Sequence, residues 1–134
     1  MPKMHVLTVV TAVLAIGALA QSDSDYQVLM KSNPANLGSL NRNILGKDYF
    51  GAAADAQKLE ATFKQVEEFW KKRGGADDAV NFAIRAQTAA AAAAKAATAG
   101  NLDEAAAQAK ILQSTCGGCH MAYREGDPGS FRFK

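Results

Sequence analysis

Three segments of this chain place apolar residues at alternating steps of four and three. The first series is Tyr26, Met30, Leu37, Leu40 and Ile44, with Asn33 filling the step between Met30 and Leu37. The second is Ala52, Ala56, Leu59, Phe63, Val66 and Trp70, and the last is Leu102, Ala105, Ala109, Leu112, Cys116, Cys119 and Tyr123. At about 3.6 residues per turn, each series falls on one face of a helix and gives it one stripe to bury. Between the second and third series, Asp77-Asp78 opens a segment through Val80, Phe82 and Ile84 into the alanine-rich stretch from Ala89 to Ala99. Acidic residues suit a helix N-terminus and alanine is the best helix former, so this is a fourth helix. Gly46 with Lys47-Asp48, Gly74-Gly75 and Gly100-Asn101 separate the four, with Asn101 placed to cap the last. The predicted fold is all-α, an antiparallel up-down-up-down four-helix bundle. Pro128 and Gly129 end the helical pattern and leave SFRFK as a tail. Small alanine side chains leave room for a bulky group inside such a bundle.

Residues 1–20 read differently. MPKMH carries Lys3, the run VLTVVTAVLAIGALA follows, and Ala18-Leu19-Ala20 has the small-x-small form that a signal peptidase accepts. The run is shorter than the ~20 residues of a membrane span. The expectation is a secretory signal peptide cleaved after Ala20, leaving 21–134 as one exported domain with no stable membrane insertion. Of 15 Lys and Arg, the loss of Lys3 leaves 14 against 13 Asp and Glu. That balance, without a basic stripe bearing aromatics, argues against nucleic acid as a partner.

The two cysteines and His120 form CGGCH on the apolar stripe of the last helix. A disulfide between Cys116 and Cys119 suits an oxidising compartment but leaves His120 without a role. A structural zinc site needs four ligands, more than these three residues supply. A thioredoxin-like pair needs a βαβ setting, and none is predicted here. C-x-x-C-H is the signature of covalent haem c attachment. Thiols at i and i+3 project from one helix face toward the two haem vinyl groups, and the next residue, His120, reaches the iron. Gly117 and Gly118 would let the porphyrin edge approach the backbone.

A single motif of this kind at the C-terminal end of a four-helix chain resembles the class II cytochromes c, the cytochrome c-prime family. The resemblance runs from Tyr26 to the tail and is most specific in CGGCHMAYR. It implies a role beside the histidine and haem for Arg124, four residues after His120. The plain alternative is a solvated arginine in a last helical turn. The family divides by its sixth ligand, and LMK in DYQVLMKSNPANLG resembles the methionine-ligated, low-spin branch, with Met30 at the matching position. From the residues alone Met30 is either an iron ligand or a flexible core residue. Pro34, four residues on, removes an N–H and pushes away the Met30 carbonyl. It predicts a kink or a loosened turn that swings Met30 toward the iron or displaces it.

The implied cofactor is one haem c, covalent through Cys116 and Cys119, with His120 and Met30 as metal ligands. The expected function is that of a periplasmic one-electron carrier working between redox proteins. The alternative is a five-coordinate protein that binds nitric oxide or carbon monoxide. A third reading is a helical domain with a local disulfide and no haem. Nothing points to hydrolytic or transfer catalysis, so the chain is not expected to be an enzyme. Phe63 and Trp70 suit either core packing or contact with the porphyrin. Arg42, Lys47, Arg132 and Lys134 are equal candidates for pairing with the propionates. The resemblance also implies homodimers through the first two helices, and Asp48-Tyr49-Phe50 either serves such a contact or closes a turn.

Overall fold

A computed structural model describes residues 22–134; the expected signal peptide and its cleavage site lie outside them. Four helices follow one another, α1 (Asp23–Leu45), α2 (Tyr49–Arg73), α3 (Asp77–Thr98) and α4 (Leu102–Tyr123). Each packs on its neighbours in the chain, and α1 also closes onto α4, as the predicted bundle requires. Among the described residues no helix is long and apolar enough to cross a membrane.

The ends of the helices are set by local chemistry. Ser22 opens α1 with a capping box: the Asp25 N–H donates to Ser22 Oγ at 3.2 Å and the Ser22 N–H to Asp25 Oδ2 at 3.0 Å. Asp48 caps α2 through the Gly51 N–H at 2.9 Å. Asn101 caps α4 through the Glu104 N–H at 3.1 Å, as its position predicts. α1 continues as one helix through Pro34.

Two expectations need correction. The last residues are not a free tail. Helix α4 ends at Tyr123, and a short antiparallel pair follows, β1 (Arg124–Glu125) with β2 (Arg132–Phe133). Gly126, at φ +96°, takes the left-handed conformation that lets the chain turn there. Phe133 is held because its ring packs 5.2 Å from Tyr26, 5.4 Å from Trp70 and 5.6 Å from Phe69, centroid to centroid. The Arg73 guanidinium lies 4.3 Å from the centre of the same ring.

The alanine run of α3 also works otherwise than expected. Ala86, Ala90, Ala93 and Ala97 are fully buried, packed against the neighbouring helices rather than lining a space. Small side chains there let α3 lie close to α2, its most extensive partner. A larger residue has nowhere to go, so Ala90→Leu should destabilise the protein by about 1–3 kcal/mol through overpacking. Denaturant unfolding of the two proteins checks this; an unchanged midpoint would mean the α2–α3 contact is loose.

Candidate cofactor site

The open space lies at the other end of the bundle, between α1 and α4. An apolar cleft of about 130 Å³ has Met30, Asn33 and Leu37 of α1 on its wall, with Cys116, Cys119 and His120 of α4. Leu59 and Phe63 of α2 and Ala79 and Phe82 of α3 complete it. A wider, more polar mouth adjoins this cleft. Tyr26, Met30, Pro34, Cys119 and His120 line both. The sequence-predicted residues Cys116, Cys119, His120 and Met30 are therefore brought to one cavity by two different helices.

Both thiols are unbridged. Burial pushes each above the ordinary thiol range, Cys119 to about 11 with a smaller contribution from Cys116 beside it. The thiol of Cys116 points along its own helix toward the Leu112 carbonyl, at 3.5 Å. His120 is held below its usual range, first by burial and then by the positive charge of Arg124. Two thiols and one imidazole are fewer ligands than the four a structural zinc site needs. Among the described residues no group of three or more His, Cys, Asp and Glu side chains is placed to hold a metal ion alone.

Arg124 is not on the helix face of His120. The helix stops one residue earlier, and Arg124 is extended, at φ −118° and ψ 136°, with its N–H donating to the His120 carbonyl. Its guanidinium stacks 3.8 Å from the centre of the Phe131 ring. It reaches the site by the mouth, which it lines together with Lys31 and Arg132. Of the four basic residues predicted to meet an anionic group, Arg132 alone lines either cleft. Lys31, one residue after Met30, was overlooked because a lone lysine on a helix reads as a solvated one. Phe63 lines the inner cleft and Trp70 the mouth. Trp70 Nε1–H donates to Tyr26 Oη at 3.3 Å, and burial pushes that phenol up to about 12.

Gly118 has a different use from the one predicted. A Cβ there would stand 2.7 Å from Phe82 Cε1 and 2.9 Å from Cζ, so the glycine makes room for the Phe82 ring, whereas Gly117 faces open space. In the sequence Asn33 is only a step in the first stripe. It is buried in the cleft, and neither its Oδ1 nor its Nδ2 has a partner.

An apolar cavity with two thiols, an uncharged histidine and an unsatisfied amide, opening between cations, fits a large flat cofactor with an apolar body, an anionic edge and a metal centre. Gly117→Ala should stabilise the protein by about 0.5–1 kcal/mol from helix propensity. Gly118→Ala should destabilise it by about 1 kcal/mol or more, because the ring must move. Thermal unfolding of the pair checks the assignment; equal shifts would contradict it. Because Tyr26 is raised when folded, it stabilises the fold fully below pH 10, and that stability is lost as pH rises from 10 to about 12. Tyr26→Phe should remove this part of the alkaline fall, read as the difference between the two proteins' unfolding free energies across that window.

Comparison with known protein families gives a match over most of the chain. The family model described as Cytochrome C' covers residues 8–124, from before α1 to the end of the CGGCHMAYR stretch. Among curated proteins and among solved structures none matches.

Proposed function

The chain belongs to the cytochrome c-prime family, and from that premise we propose that it is an exported one-electron carrier, with one haem c held in the cleft between α1 and α4. Family membership implies a covalently bound c-type haem. The observation that carries the rest is that Met30 and His120, from different helices, line both the inner cleft and its mouth.

When bound, the haem would supply a one-electron Fe(II)/Fe(III) couple. The chain's own residues do the remainder. Cys116 and Cys119 would hold the group through thioethers, which would use both thiols and remove the free-thiol liability of an exported protein. His120, kept neutral by burial and by Arg124, offers a lone pair to the metal. Met30 offers an uncharged thioether from α1, which favours the reduced form. The carbon walls act in the same direction by penalising the extra positive charge of the oxidised form. Lys31, Arg124 and Arg132 at the mouth meet the anionic edge and present a weakly basic rim to periplasmic redox proteins. The one histidine among the described residues is used as a ligand on this reading, and we propose no enzymatic role.

A second reading, capture of nitric oxide or carbon monoxide in a five-coordinate state, is favoured by one observation. Asn33 brings an unpartnered amide into the cleft that a ligand would enter.

Optical spectra of the haem-loaded protein separate the two. The electron-carrier reading predicts a low-spin ferric spectrum with the weak far-red band of methionine-to-iron charge transfer, lost in Met30→Ala. A high-spin spectrum unaltered by Met30→Ala, and readily shifted by carbon monoxide, would replace it with the gas-binding reading.

A further inference from the structure

Three polar side chains are buried among the described residues, and two behave as buried polar groups do. Asp55 Oδ2 accepts from Asn43 Nδ2 at 2.8 Å, and Thr115 Oγ1 donates to the Leu112 carbonyl at 2.7 Å. Asn33 is the exception. It is 6% exposed and has no partner for either end of its amide. An amide held out of water and unpaired destabilises a fold, so its partner is to be sought in whatever fills the cleft.

The position of Asn33 narrows what that partner can be. It stands one helical turn beyond Met30 and lines the inner cleft but not the mouth. The cations that suit carboxylates, Lys31, Arg124 and Arg132, all stand at the mouth. The anionic edge of the cofactor is therefore provided for elsewhere. The flat face of a porphyrin offers an amide only a weak π acceptor, which leaves its hydrogen-bonding need largely unmet. A small molecule held beside α1 would supply the missing partner.

We infer that Asn33 is the hydrogen-bond donor for a diatomic ligand seated between α1 and the cofactor, beside Met30. The inference rests on the haem reading and deepens its gas-binding branch. An amide N–H stabilises a ligand whose outer atom gains electron density on binding. A cleft built wholly of carbon gives no such preference, so Asn33 is a specificity-determining residue. Met30 controls whether the position is free, and Asn33 controls what is held there.

The test uses haem-loaded Met30→Ala protein, in which the α1 side is open whatever Met30 does natively, with carbon monoxide as the probe. A donor beside the bound probe draws electron density to its oxygen and lowers the C–O stretching frequency. Adding Asn33→Leu should raise that frequency and speed carbon monoxide release by about three- to tenfold, the worth of one hydrogen bond. Asn33→Ala, which adds no volume, should do the same and serves if leucine overfills the site. Frequency and release rate unchanged in both variants would overturn the inference. A mass measurement of the peptide spanning Cys116 and Cys119 on the same samples separates the two levels of failure. A peptide without covalent haem overturns the haem reading, and this inference with it. A loaded peptide with an unmoved frequency overturns the role of Asn33 alone.

Discussion

The structure depends on an apolar gap between α1 and α4. Of the neighbouring helix pairs, these two meet over the smallest interface, while α2 and α3 are packed through alanines with no space between them. Carbon walls around an open cleft are unfavourable in water, since their surface is neither solvated well nor buried. An apolar body filling the gap would turn that weakness into the main contact joining α1 to α4. On the proposed reading the cofactor would in this sense be a part of the core, and attachment through Cys116 and Cys119 would fix it to the helix with the better packing.

Division of labour along the bundle follows from side-chain volume. At one end the small residues of α3 are fully buried and let it pack closely on α2. At the other, Ala79 and Ala83 stand beside the large Phe82, whose ring lies against Gly118 between the two cysteines. The glycine thus ties α3 to the attachment segment at the point where the thiols and His120 must be held in register. The aromatic cluster of Tyr26, Phe69, Trp70 and Phe133 closes the mouth side, and the ion pair of Arg73 with Asp23, at 3.1 Å, joins the end of α2 to the start of α1. Exposed ion pairs of this kind contribute little by themselves, so the aromatic contacts carry most of that closure.

Much of this was legible from local rules. The apolar steps marked the faces of α1, α2 and α4, the glycines marked their ends, and C-x-x-C-H with its place in the chain marked the family, because each depends on residues a few positions apart. What was not legible depends on residues far apart. Arg124 reads as a continuation of α4 until Phe131 and Phe133 draw the chain into a hairpin. The alanines of α3 read as room for a cofactor until their neighbours are seen to fill it. Gly118 needs Phe82, 36 positions earlier in the chain. Asn33 carried a signal that was there to use, a polar residue on an apolar stripe, but its lack of a partner exists only in three dimensions.

The central claim is that the group bound through Cys116, Cys119 and His120 joins α1 to α4. Amide hydrogen exchange, followed by mass spectrometry on the haem-loaded protein and on a Cys116→Ala/Cys119→Ala variant, tests it most directly. The account predicts that the variant loses protection chiefly in α1, with the alanine-packed parts of α2 and α3 close to unchanged. Equal protection of α1 in both proteins would contradict it.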